Sequence, residues 1–164
     1  MRIKNSLILI DLDSSAQIGR KYSGSKFSTA YLPPELLSIN NNTCFALDEE
    51  ELKSVVADPS HDAWSLGMTV FYLCTGLHFF YQDNADNLVE QTTFKQLYSF
   101  SMEFKKDKLA IVNDMQARNL IAQLLNKDPK KRPTMSSILQ HPFLTHKSPS
   151  RMIGEKPEFD VFIR

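Results

Sequence analysis

A mainly α-helical fold with one or two short strands near its start is what this 164-residue sequence predicts. Three observations carry the expectation. An apolar run from His61 to Thr75 is closed by Gly76. Ala117, Leu120, Ile121, Leu124 and Leu125 recur at helical spacing between Met115 and Asn126. Only one stretch, Ser6-Leu7-Ile8-Leu9-Ile10, reads as a buried strand, and it stops at Asp11.

Residues 14 to 30 are rich in Ser, Gly and Lys without an apolar period, which reads as a mobile surface loop. Pro33-Pro34 closes it, because proline fixes φ and donates no hydrogen bond. A polar stretch follows from Ser38 to Ser60, and its acidic centre, Asp48 to Glu51, is either a short helix or disordered. Ser60 is the expected N-cap and Gly76 the expected C′ residue of the 61–75 helix. That helix is apolar nearly all round (Trp64, Leu66, Met68, Val70, Phe71, Tyr72, Leu73), so it belongs inside a core. A weaker helical pattern covers 86 to 100. Met135, Ile138 and Leu139 suggest a last short helix stopped by Pro142, and the tail from Lys147 to Arg164 reads as a flexible extension. The expected division is 1–145 for the folded part and 146–164 for the extension.

Composition excludes several functions. Lys plus Arg balances Asp plus Glu, 19 against 19, so bulk charge argues for neither nucleic acid nor an anionic membrane as partner. The apolar run before Asp11 is too short for a signal-peptide core or a membrane span. Cys44 and Cys74 are too few for a disulfide scaffold, which points to a reducing intracellular compartment, with the cytoplasm the simplest expectation. Nothing in the sequence sets an oligomeric state.

Four short motifs carry chemistry. Alone, Asp11-Leu12-Asp13 reads first as a solvated acid at a strand end, and second as a rigidly held oxygen ligand for Mg²⁺. Tyr31-Leu32-Pro33-Pro34-Glu35 reads as a proline turn bearing an acid, and Glu35 lies 24 positions after Asp11. Asp62-Ala63-Trp64-Ser65-Leu66-Gly67 places an anchoring indole and an interior glycine on one helix; a helical glycine costs about 1 kcal/mol against alanine, so a close approach is its expected reason. Asp128-Pro129-Lys130-Lys131-Arg132-Pro133 follows the 115–126 helix, with His141-Pro142-Phe143-Leu144 beyond it.

In this order, over about residues 5 to 145, the motifs resemble the C-terminal lobe of eukaryotic protein kinases, nearer the serine/threonine branch. Asp11-Leu12-Asp13 sits where that family has Asp-Phe-Gly, and Pro33-Pro34-Glu35 where it has Ala-Pro-Glu. The resemblance implies a mainly α, kinase-like lobe and a function in transferring the ATP γ-phosphate to hydroxyls of a protein substrate. It also implies that Asp11, with Asp13 as a second candidate, holds Mg²⁺ at the phosphates of ATP. Residues 11 to 35 become an activation segment with Ser28, Thr29 and Tyr31 on the substrate side. Glu35 pairs with Arg132 in the interior, Asp62 caps backbone amides of the catalytic loop, and Trp64 and Gly67 belong to the buried central helix. Phosphate on Ser23, Ser25, Ser28 or Thr29 would order the loop through Arg20, Lys21 and Lys26.

The sequence also departs from the family. It contains no Gly-rich loop, no phosphate-binding lysine and no His-Arg-Asp catalytic loop, so no catalytic residue is assigned. Asp13 replaces a glycine and either repels the Asp11 charge or adds a ligand. Phe27 replaces another glycine, and residues 38 to 58 read as an insertion. The expectation is that this chain alone neither binds ATP well nor transfers phosphate. It is then either part of a longer active kinase or a pseudokinase-like interaction module without catalysis.

Overall fold

The computed structural model describes residues 2–3, 6–7, 12, 15–22 and 28–145. Its element order is β1 (Arg2–Ile3), β2 (Ser6–Leu7), β3 (Leu37–Asn40), β4 (Thr43–Ala46), α1 (Glu49–Leu52), α2 (Pro59–Thr75), α3 (Gln91–Ser99), α4 (Met102–Leu109), α5 (Met115–Leu124), α6 (Met135–Leu139) and α7 (Pro142–Thr145). The mainly helical expectation holds. β1 and β2 pair antiparallel, while Ile8 to Asp11 and the tail 146–164 lie outside the described residues.

The core is built around α2. Trp64 and Phe71 on this helix are fully buried, and an aromatic cluster of Phe79, Phe80, Phe100 and Phe104 packs around them. Ring pairs such as Trp64–Phe100, with centroids 4.8 Å apart, meet edge to face as aromatic quadrupoles prefer. Against α2 lies α5, whose Ala117, Leu120, Ile121 and Leu124 form the buried stripe its periodicity predicts. Gly67 sits at this crossing. A Cβ there would lie 2.8 Å from Leu125 Cδ2 and 2.9 Å from Leu124 Cβ, so only glycine lets the two helices approach this closely.

Two features of α2 correct the sequence reading. Its N-cap is Asp58, not Ser60: the Asp58 carboxylate accepts from the Ser60 amide at 2.8 Å, and Pro59, with no N–H to satisfy, takes the first helical position. Nor is the helix buried all round. Tyr72 and Leu73 are exposed in its last turn, ahead of Gly76 at φ 69°, because the core ends at Phe71 and Thr75 hydroxyl bonds turn the chain back.

The polar stretch after Ser38 is also more ordered than expected. β3 and β4 form a two-residue hairpin with Asn40 opposite Thr43, and Asn41 and Asn42 take φ of 46° and 62°, as a type I′ turn requires. Gln91 clamps this hairpin to α3: its carboxamide accepts from the Cys44 amide at 3.0 Å and donates to the Cys44 carbonyl at 2.9 Å. The acidic centre resolves to the helical alternative, since Asp48 and Glu51 form a reciprocal capping box around α1. The weak pattern over 86 to 100 contains α3, and α4 follows unanticipated. Lys105 on α4 donates to the carbonyls of Ala122 and Leu125 at the end of α5, and burial pushes its amine below the usual lysine range. Pro142 opens α7 rather than merely ending α6.

The loop expectation for 14–30 changes where it is described. Ala57 donates to the Arg20 carbonyl at 2.8 Å, Gly19 donates to the Ala57 carbonyl at 2.9 Å, and Tyr22 donates to the Val55 carbonyl at 3.2 Å. The segment leading into α2 therefore holds residues 19–22 along its edge. Tyr22 completes the contact, its hydroxyl 3.0 Å from Nδ1 of His61. Burial keeps the His61 imidazole below its ordinary value of 6.5, against the upward pull of Glu35 and Asp58. It is therefore neutral near pH 7, with Nδ1 hydrogen-bonded to the Tyr22 hydroxyl, and its Nε2 lies 3.9 Å from Glu35 Oε1 as a neutral neighbour rather than an ion partner.

Gly67→Ala gains helix propensity but drives a methyl into Leu124 and Leu125, so a net loss of about 1–3 kcal/mol is expected in urea unfolding. Leu125→Ala, costly by itself because that side chain is buried, should cost less in the Gly67→Ala chain than in the native one. For His61, the unfolded chain binds a proton that the folded chain refuses between the lowered native value and 6.5. Its contribution is present above 6.5 and is lost as pH falls below it. Melting temperatures followed from about pH 7.5 to about pH 5 should fall in the native chain and fall less in His61→Asn.

Candidate functional site

The structure joins three of the sequence motifs at one guanidinium. Arg132 leaves the 3₁₀ turn Pro129–Lys131, which Asp128 caps by accepting from the Lys130 amide at 3.0 Å. Its side chain is wholly buried. All five of its N–H donors are engaged. Nη1 reaches Glu35 Oε1 at 2.6 Å and the Ser60 carbonyl at 2.9 Å. Nη2 reaches Glu35 Oε2 at 2.7 Å and the Lys127 carbonyl at 3.4 Å, while Nε donates to the Asn126 carbonyl at 2.8 Å. The Glu35 contact is thus a bidentate fork, the strongest geometry available to a carboxylate. The guanidinium also lies over the Trp64 ring, 5.0 Å from its centroid, within cation–π range. The Trp64 Nε1–H itself is buried without a partner among the described residues.

Glu35 is carried by a second 3₁₀ turn, Pro34–Leu36, entered through buried Pro33. The preceding turn, Thr29–Tyr31, is tied down from two directions. Ser65 on α2 donates its hydroxyl to the Tyr31 carbonyl at 3.0 Å. Thr29 Oγ1 accepts from the Leu88 amide at 2.7 Å, and the Ala30 amide donates to the Asp86 carbonyl at 3.0 Å. Asp86 adopts φ 60° to present that carbonyl. Residues 28–35 therefore form a fixed platform, pinned to α2 below and to the 82–88 loop at the side. Tyr31 is half-buried, and burial, then the Asp86 charge, push its phenol above 10.0. Ser28 is exposed at the edge of the platform.

The remaining candidates are distributed less evenly. Asp62 is exposed in the first turn of α2, and its charge is one of those raising the Tyr22 phenol, after burial. Asp11 and Asp13 lie outside the described residues, as do Ser23, Ser25, Lys26 and Phe27. Among the described residues no group of three or more His, Cys, Asp or Glu is placed to hold a metal ion, and no helix is long and apolar enough to cross a membrane. Both cysteines are free, Cys44 buried and Cys74 exposed.

Sequence reasoning missed how completely Arg132 is satisfied, because four of its contacts are with oxygens of Ser60, Asn126, Lys127 and the second Glu35 oxygen that only the fold assembles. It also missed Tyr22 and His61. Removing either member of the pair strands buried groups, so Glu35→Ala and Arg132→Met should each lose about 3–5 kcal/mol in chemical unfolding. The double variant should lose less than the two singles combined, by about 1–3 kcal/mol.

Comparison with known proteins agrees with this geometry. The protein kinase domain family matches residues 2–144. A Dictyostelium discoideum protein named as a probable inactive serine/threonine-protein kinase is 29% identical over 60% of this chain and 12% of its own length. Calcium-dependent protein kinase 34 of Arabidopsis thaliana is 24% identical over 85% of this chain and 25% of its own. The chain thus spans a quarter or less of these two relatives. Among solved structures, the autoinhibited serine kinase domain of the giant muscle protein titin shares the fold, with a TM-score of 0.52 and 23% identity over 80% of this chain and 35% of that one. The chain belongs to the protein kinase domain family, on its serine/threonine side.

Proposed function

We propose that residues 1–145 are the substrate-side lobe of a serine/threonine protein kinase, and that residues 146–164 are an extension of it. The family uses Mg²⁺ and ATP and acts on protein substrates. In this reading the chain's own contribution is positional. The 28–35 platform presents a backbone surface to a protein hydroxyl, with Ser28, Thr29 and Tyr31 facing it. The observation that carries the reading is the bidentate Glu35–Arg132 pair, which locks the end of that platform to the Pro129–Lys131 turn at 2.6 and 2.7 Å and, through the Ser60 carbonyl, to the start of α2. Phosphoryl transfer relies on positioning and charge stabilisation, so a rigid platform is what such a lobe has to supply.

Asp11 is proposed as the Mg²⁺ ligand and Asp62 as a cap for a catalytic loop, on the sequence resemblance. The 164 residues include neither the Gly-rich loop nor the His-Arg-Asp loop, so the chain by itself is proposed to bind Mg-ATP weakly and to transfer no phosphate. A second reading, an interaction module without catalysis, draws on Asp13 in place of glycine and on the likeness to a relative named as inactive.

Isothermal titration of Mg-ATP into the 164-residue chain should show no micromolar binding; a micromolar constant would refute the lobe-only reading. Coding sequence in frame upstream of Met1 that supplies both missing loops would favour the kinase. An in-frame stop directly before Met1 would favour the module.

A further inference from the structure

A groove of about 720 Å³ runs between α4 and α5. Buried Leu109 and half-buried Ala122 line its base, and Met102 and Met115 stand at its edges. The two methionines are 79% and 74% exposed, so a large part of two apolar, adaptable side chains faces water. Three cations border the groove, Lys105, Lys106 and Arg118, against one acid, Glu103. Lys105 donates to the carbonyls of Ala122 and Leu125, and Arg118 to that of Val112 at 2.9 and 2.6 Å, which fixes both without neutralising them. Among the described residues none of the three cations forms an ion pair. An apolar strip with a cationic border therefore stands uncovered by the described residues.

The sequence beyond Thr145 holds a segment of matching chemistry. In an extended chain successive side chains point to opposite faces, so Phe159, Val161 and Ile163 would share one face and Glu158 and Asp160 the other. Over 155–163 the acids Glu155, Glu158 and Asp160 stand against one base, Lys156, the reverse of the groove's own balance. The route between them is short. α7 ends at Thr145 packed on α5, and His141 Nε2 lies 2.9 Å from Oδ1 of Asn119, a residue of the groove wall. Residues 146–157 span up to about 40 Å when extended, against about 15 Å for the whole of α5. A tether of that kind holds its end at roughly millimolar effective concentration, so a contact too weak to form between separate molecules is occupied. We propose that Glu158 to Ile163 lies extended in the α4–α5 groove of its own chain, with Phe159, Val161 and Ile163 on the base and Glu158 and Asp160 beside Lys106 and Arg118. The extension is then a strap that ties α4 to α5 and covers both methionines. This docking does not depend on the kinase reading.

Methyl NMR on the full chain, carrying ¹³C-methyl methionine and no nucleotide, tests this. Met102→Leu and Met115→Leu assign the two signals. Both methyls should show nuclear Overhauser contacts to the Phe159 ring. Phe159→Ser with Val161→Ser should abolish those contacts and shift both signals, while the signal of Met68, buried on α2, stays in place. Lys106→Glu should lower the contact intensity about twofold, and Glu158→Lys in the same chain should recover it. Lys130→Glu, an exposed base outside the groove, should change nothing. No contact to Phe159, or methionine signals unmoved by the double serine variant, would overturn the proposal. So would contacts that fade on dilution, which would assign the groove to the segment of a second copy.

Discussion

One buried guanidinium organises this lobe. Arg132 is removed from water, and a bare charge there would cost several kcal/mol. It is tolerated because each N–H meets an oxygen, two of them on the Glu35 carboxylate. Those oxygens come from the Pro34–Leu36 turn, the first turn of α2 and the end of the α5 segment. Parts of the chain 97 positions apart are thereby fixed to one rigid group. The Trp64 face beneath adds a directional contact and closes the site to water.

The rest follows from where that group must sit. Arg132 reaches the Ser60 carbonyl only if α2 begins beside it, which Asp58 and Pro59 ensure. It reaches the end of α5 only if α2 and α5 lie close, which Gly67 permits. The platform then inherits its rigidity from below through Glu35 and Ser65, and from the side through Asp86 and Leu88. Upstream, the 55–57 segment and His61 hold residues 19–22 against the same helix. Both the platform and its approach are thus referenced to α2.

Much of this was legible in the sequence, and the limits have physical causes. The core helix, its closing Gly76, the α5 stripe and the Glu35–Arg132 association were readable, because burial imposes periodicity and motif order carries family information. The N-cap was misplaced by two residues because Ser60 and Asp58 are both good caps, and Pro59 decides between them only when its lack of an N–H is counted. The sequence reading missed the hairpin although a local signal was present: Ser38-Ile39-Asn40 and Thr43-Cys44-Phe45 flank Asn41-Asn42, a pair that tolerates positive φ. Its polar composition masked it as loop. What no local pattern carried were the long-range polar partners, Tyr22 with His61, Gln91 with Cys44, and the carbonyls around Arg132. They are set by tertiary geometry, not by spacing.

Amide hydrogen exchange in Arg132→Lys tests most directly whether the guanidinium fork fixes the platform, since lysine keeps the charge and loses the bidentate geometry. If it does, the hydrogen-bonded amides of Ala30, Tyr31, Leu32 and Leu36 should exchange faster in the variant while those in the middle of α2 stay protected. Unchanged protection at those four amides, in a chain that still carries the substitution and remains folded, would contradict it.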